Sequence, residues 1–315
     1  MQQYLNIVER VLQHGERKVS RTGIDTLSTF NINYEIDLRD GFPLLTTKEI
    51  SWKNIIVENL WFLSGQRHIG LLRRHGCHFW DPWADEQGYV PSAYGNLWRQ
   101  FPFHSEGRLD HADQIRWVLD EISRNPNSRR LVVSAWAPGN AHDSALPPCH
   151  AFWVLNVQTD KQNQPTLCLH LTQRSCDVAL GLPYNIAGYA FLLELFSRLT
   201  GIPVGHFAHT LIDAHVYTAK PDGGKSDYDH VPGLRQQLER SPRPLPTLAI
   251  DPTIRSLSDI EQLFEASTED LLVAQSIVAN GSGRVLLQGG ADVELSALVQ
   301  SGSGHITVLG TTNVS

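Results

Sequence analysis

The sequence predicts an α+β domain followed by a β-rich appendage, and three observations carry that prediction. Helix-period stretches lie at residues 2–14, 51–64, 111–124 and about 186–200. Strand-like stretches lie between them, at 26–38, 131–136, 151–157 and 166–177. Beyond residue 250 the character changes: Phe264 is the only aromatic in the last 65 positions, and glycine pairs punctuate short β-prone runs. The expected division is therefore a domain over 1–250 and an atypical extension over 251–315. A length of 315 residues suffices for a large core, and 41% apolar with 19% charged residues suits a soluble globular chain. The net charge of −7 supplies no general basic field, so nucleic acid is not an expected partner.

The elements follow in order. Tyr4, Val8, Val11 and Leu12 mark one face of the first helix. A basic, glycine-bounded loop from Gly15 to Gly23 contains Arg21 and suits either an anion or solvent. Residues 51–64 form a strongly apolar helix with Glu58 inside it, which is costly unless the carboxylate is paired, functional or able to reach water. Trp80, Trp83 and Trp98 are either core or a stacking wall for a flat heteroaromatic ligand. Arg129 and Arg130 adjoin at the start of an apolar strand, where paired guanidiniums favour phosphate or carboxylate, or simply water. Pro147-Pro148 present Cys149 from a stiff support, either as a small buried apolar residue or as a reactive thiol. The strand at 166–177 ends in polar and charged residues, and Gly181-Leu182-Pro183-Tyr184-Asn185 is expected to be a turn before the long apolar helix.

Some classes are disfavoured. The four cysteines form no CxxC pair and are expected to be reduced thiols in a cytoplasmic protein. Glu9, Arg10 and Glu16 interrupt the N-terminal apolar residues, so no signal peptide is expected there. No apolar run reaches about 18 residues, so no membrane span is expected. His206 and His209 have a ligand-like spacing but no acidic partner, and no metal is expected. A cysteine hydrolase built on Cys149 and His150 is disfavoured, because neighbours on a strand point to opposite faces.

Several stretches taken together resemble the thymidylate synthase family from about residue 2 to residue 250. They include Arg21-Thr22-Gly23, Gly41-Phe42-Pro43-Leu44-Leu45-Thr46-Thr47-Lys48, Glu58 with Leu60-Trp61-Phe62-Leu63, Trp80-Asp81 and Tyr94-Gly95. They continue with Ser128-Arg129-Arg130, Pro148-Cys149-His150-Ala151-Phe152, Gln173-Arg174-Ser175-Cys176-Asp177, Leu180-Gly181-Leu182-Pro183, Asn185-Ile186-Ala187, and His215 with Tyr217. The resemblance implies a large mixed sheet with surrounding helices. It also implies transfer of one carbon from 5,10-methylenetetrahydrofolate, as co-substrate, to C5 of dUMP. C5 of uracil is a poor nucleophile, and a thiolate adding to C6 makes it enolate-like. Cys149 would be that thiolate. Glu58, Tyr94 and His150 would handle protons, and Asp177 would hold the pterin. Arg21, Arg174 and Ser175, with Gln173, would form the phosphate and base site. Arg129 and Arg130 would come from the second subunit of a homodimer. Asn185 would read N3–H and O4 of uracil, where cytosine-using relatives have an aspartate. His215 and Tyr217 would bond the sugar 3′-hydroxyl. Trp80, Trp83, Leu180, Gly181 and Lys48 would surround the folate.

The chain departs from the family pattern in places. Lys48 is followed by Glu49, Ser51 stands where a basic or larger residue near the folate is common, and Phe79 replaces an aliphatic. No Pro-x-Ala-Ile or Pro-x-Ala-Val segment occurs after Ile250. In the family that segment closes over the ligands and protects hydride transfer from water. The sequence reading therefore leans toward a deoxyuridylate 5-hydroxymethylase, in which water captures the methylene intermediate. Thymidylate synthesis is the alternative, and an inactive nucleotide- or RNA-binding relative is a remote one. Host and pathway are not legible, and the cytoplasm expected is that of a bacterium or of a virus-infected cell.

Overall fold

A computed structural model describes residues 1–19, 23–220, 228–265, 274–278, 285–288 and 306–309. The chain begins with α1 (Gln2–His14), β1 (Glu16–Val19), β2 (Asp25–Asp37), α2 (Trp52–Ser64), α3 (Gly70–Arg74) and α4 (Tyr94–Arg99). It continues through β3 (Phe101–Ser105), β4 (Arg108–Ala112), α5 (Gln114–Arg124), β5 (Val132–Ser134), α6 (Pro138–Asp143), β6 (His150–Thr159), β7 (Pro165–Gln173) and β8 (Cys176–Asp177). Then follow α7 (Gly181–Thr200), β9 (Val204–Thr218), α8 (Val231–Leu238), β10 (Thr247–Ile250), α9 (Leu257–Glu265), β11 (Ala274–Val278), β12 (Val285–Gln288) and β13 (Ile306–Leu309).

The main sheet runs β1-β2-β9-β7-β6-β5, and β8 also pairs with β9. It is mixed: β9 is antiparallel to β2 and parallel to β7 and β8, while β6 is antiparallel to both its neighbours. One face carries Val133, Trp153, Leu155, Leu169, Leu171, Phe207, Leu211, Ile32 and Ile36, all buried. The opposite face carries Val132 beside Val154, and Phe152 beside both Ser134 and Thr172. Val132 is 40% and Phe152 38% exposed.

The two apolar helices form from strong local signals. Ser51 Oγ accepts the Asn54 amide at the start of α2, and Gly65 closes its end at φ +72°, a left-handed conformation that costs glycine little. The residues expected as a turn, 181–185, are instead the first turn of α7. Pro183 is compatible with that position, since first-turn amides have no intrahelical acceptor to lose. The helix expected over 111–124 starts at Gln114, with the Asp113 carboxylate accepting the Arg116 amide as N-cap. His111 and Ala112 pair with Pro102 and Phe101 in a hairpin instead. Its two-residue turn, Glu106-Gly107, has φ of +51° and +75°, the pattern that matches strand twist.

Past residue 250 the packed body continues at least to Ile260. Ile254, Leu257 and Ile260 are buried in the core. Glu261 Oε1 accepts from Arg99 Nη2 at 2.5 Å and from Arg116 Nη2 at 3.0 Å. The extension expected to be β-rich begins instead with the helix α9. β11 pairs antiparallel with β10, whereas β12 and β13 pair in parallel instead of forming a hairpin.

Along β9 the buried positions are first odd, Phe207, His209 and Leu211, and then even, Ala214 and Val216. The change falls opposite Asn31, which has φ of +56°. It leaves Asp213, His215 and Tyr217 lining a cleft at one end of the sheet.

Candidate active site

The cleft has a volume of about 750 Å³ and collects residues distant in sequence. Cys149 sits on its wall immediately before β6. Its support is more than the stiffness of two prolines. The Arg174 guanidinium donates to Pro147 O at 2.7 Å and Pro148 O at 2.9 Å, and the Arg174 amide donates to Cys149 O at 2.9 Å. The Tyr94 hydroxyl accepts the Cys149 amide at 3.1 Å. Arg174 Nη2 lies 3.9 Å from Cys149 Sγ, where a cation favours the sulfur anion. Trp136 supports the guanidinium from 5.3 Å, a cation–π distance.

Glu58 reaches the cleft from the middle of α2. Burial pushes its carboxyl up to about 7, opposed by a 2.7 Å hydrogen bond from Trp80 Nε1. A carboxyl so placed exchanges a proton near neutrality. Tyr94 packs edge-on to Trp80 and Phe62, and its burial holds the phenol protonated. His150 stacks on Tyr94 with ring centroids 4.8 Å apart. Burial drives His150 down to about 4, against a hydrogen bond with Asn185, so its ring is neutral.

Asn185, on the first turns of α7, is oriented by Gln173, whose Nε2 donates to Asn185 Oδ1 at 3.1 Å and to Ser175 O at 3.0 Å. Both face the cleft with Arg174 and Ser175. The break between β7 and β8 is what turns these polar residues out of the sheet. Asp177 Oδ1 accepts the amides of Ala179 and Leu180 ahead of α7. Trp80, Trp83, Phe79 and Gly181 complete that side.

Other expected residues lie elsewhere. Lys48 is not in the cleft lining; its Nζ donates to Ala179 O at 3.0 Å and braces the turn after Asp177. Leu180 is half-exposed beside the cleft. Arg129 and Arg130 are exposed and do not line the cleft of their own chain. Arg21 falls outside the described residues. Lys18, Thr26 and Asp213 line the cleft although no motif pointed to them. Alternation along β9 was the available signal for Asp213, two residues before His215. Among the described residues no cluster of His, Cys, Asp or Glu could hold a metal ion. His209 is buried instead, 2.7 Å from the Tyr34 hydroxyl. No described helix is long and apolar enough to cross a membrane.

A family model described as thymidylate synthase matches residues 2–275. The chain belongs to the thymidylate synthase family. It is 41% identical over 334 aligned positions to "Thymidylate synthase" of Haloferax volcanii, covering 88% of this chain and 94% of that protein. Members of the thymidylate synthase family bind dUMP and take methylenetetrahydrofolate as co-substrate. The match to residue 275 runs past residue 250, in keeping with the packing of α9 on the core.

Proposed function

We propose that this chain makes thymidylate, transferring the methylene of 5,10-methylenetetrahydrofolate to C5 of dUMP and reducing it to methyl. The observation that carries the reading is the clamp of Arg174 around Pro147-Pro148-Cys149, which aims a thiolate into a cleft also faced by Asn185 and Glu58. The Cys149 thiolate adds to C6, and the electron pair of the former C5–C6 double bond becomes available at C5. C5 then attacks the folate methylene. The C5 proton passes to solvent at the Tyr94 hydroxyl, and tetrahydrofolate leaves with its nitrogen as an amine. Hydride from tetrahydrofolate to the exocyclic methylene gives methyl and dihydrofolate, and Cys149 is expelled as a thiolate as the C5–C6 double bond re-forms. Glu58, titrating near 7, relays protons toward the base. Asn185, held by Gln173, offers an amide to the uracil edge. Asp177, Trp80 and Trp83 bind the folate ring system, which the aromatic wall suits.

The 41% identity to a thymidylate synthase supports methylation over the hydroxymethylation to which the C-terminal sequence leans. Incubation with dUMP and methylenetetrahydrofolate, followed by mass analysis of the nucleotide, separates them. A methyl product with stoichiometric dihydrofolate is expected; a hydroxymethyl product with tetrahydrofolate would overturn the reading.

The enzyme works as a homodimer in which Arg129 and Arg130 complete the partner's phosphate site. Their exposure, and the half-exposed sheet face bearing Val132 and Phe152 next to them, support this. Mixing an Arg130→Ala chain with a Cys149→Ser chain should restore activity that neither has alone; absence of rescue in a demonstrated heterodimer counts against sharing.

A further inference from the structure

We infer that Asp213 is the positioning residue for His215, fixing the ring so that Nε2 accepts a hydrogen bond from the 3′-hydroxyl of the bound nucleotide. The inference rests on the reading of the cleft as a dUMP site and goes beyond it by assigning Asp213, Ser28 and Lys18.

Four side chains on three adjacent strands meet at the cleft. Ser28 of β2 lies directly opposite His215 of β9, and directly opposed residues share a face of the sheet. Asp213 Oδ1 lies 3.2 Å from His215 Nδ1 and accepts from Ser28 Oγ at 3.0 Å. Lys18 Nζ, from β1, donates to Ser28 Oγ at 3.0 Å and lies 3.5 Å from Asp213 Oδ2. His215 is mostly buried, with 12% of its side chain exposed. A carboxylate can only accept from Nδ1, so a neutral ring in this contact carries its proton on Nδ1 and its lone pair on Nε2. The hydrogen bond with His215, ahead of that from Ser28, pulls the Asp213 carboxyl down to about 2, so it is ionised throughout the neutral range.

Lys18 explains how an acidic group is tolerated in a cleft meant for a nucleotide monophosphate. Its ammonium offsets the Asp213 charge locally, and Ser28 fixes the carboxylate plane. Asp213 therefore orients the ring without presenting a bare negative charge to the phosphate.

The test compares binding of dUMP with that of its 3′-deoxy analogue, 2′,3′-dideoxyuridine 5′-monophosphate, by calorimetry on the full chain. Loss of one such hydrogen bond predicts that the wild type binds the analogue about ten- to hundredfold more weakly. In Asp213→Ala the ratio should fall to about two- to threefold. KM for dUMP should rise while kcat at saturation stays within about threefold. Histidine ¹⁵N spectra, assigned with His215→Gln, should show the Nδ1–H tautomer in the wild type and its loss in Asp213→Ala. Should Asp213→Ala not fold, Lys18→Met and Ser28→Ala each test the same support and should give intermediate ratios. An unchanged ratio in all folded variants, or an Nε2–H tautomer in the wild type, overturns the inference while leaving the dUMP site intact. A wild type that does not distinguish the two nucleotides overturns the sugar-site assignment of His215 and this inference together.

Discussion

Glu58, proposed as the proton relay, carries a cost in stability. The folded protein holds the Glu58 proton up to about 7, whereas an unfolded chain releases it near 4.3. Between those values the folded state binds the extra proton, so this group lowers stability as pH rises and the loss is complete above about 7. Glu58→Gln removes that ionisation. The variant should be inactive, yet more stable than wild type by about 1–3 kcal/mol at pH 8 and not at pH 4.5. Denaturant titrations at the two pH values check this, and equal differences at both would contradict it. Cys149→Ser should lower turnover by about 10³-fold or more while dUMP still binds, since addition to C6 needs a thiolate; retained turnover would remove Cys149 from the mechanism. Glu58 stood out because a carboxyl in an apolar helix is costly, whereas Cys149 read from its own surroundings as a small core residue as readily as a reactive thiol, and the role proposed for each came from the family resemblance. Asp213 and Lys18 did not stand out, because a charge on an alternating strand looks like an ordinary solvated face. Only the register of β1, β2 and β9 brings them together.

At the scale of elements, the spacing of Tyr94 and Glu58 depends on how closely α4 approaches α2. Gly95 has no side chain because a Cβ there would meet Phe62 O at 2.0 Å. Arg99, at the other end of α4, donates to Leu63 O at 2.6 Å and Asp113 Oδ2 at 2.9 Å, tying α2, α4 and α5 together. Gly95→Ala should push the helices apart, costing about 1–3 kcal/mol and a larger loss in kcat than in dUMP affinity. Gly201→Ala is the matched control. It meets no atom within 4 Å but stands at φ +72°, so it should cost about 1 kcal/mol with kcat preserved. A Gly95→Ala enzyme with normal kcat would break the link between helix approach and catalysis. The long helices and the strands β2, β6 and β7 were plain from periodicity, but β9, the longest strand, was not among those read. The first turn of α7 was not, since Gly181 and Pro183 are turn formers in isolation. Pro183 is admitted there because the first turn has no amide bond to forfeit, and Asp177 takes the amides just ahead of it.

For the whole molecule, the core does not end where the sequence changes character. Ile254, Leu257 and Ile260 are buried, and Glu261 binds the same Arg99 that braces α4. A chain cut after residue 250 loses all of these. At about 2–5 kcal/mol for each large apolar side chain removed, the loss rivals the total stability of an ordinary domain. It should therefore fail to give a cooperative unfolding transition, whereas a chain cut after 265 should keep one; a folded 1–250 fragment would refute this. Composition hid the segment because a nine-residue amphipathic helix carries few aromatics. The same continuity acts through β9, which is rooted in the interior at Phe207–Leu211 and projects as a cantilever to His215 and Tyr217. A nucleotide bound at the proposed sugar site would steady the end of this strand. Amide exchange at residues 207–211, which lie on the same strand but outside the cleft lining, should slow when dUMP binds, making this buried stretch a gauge of occupancy.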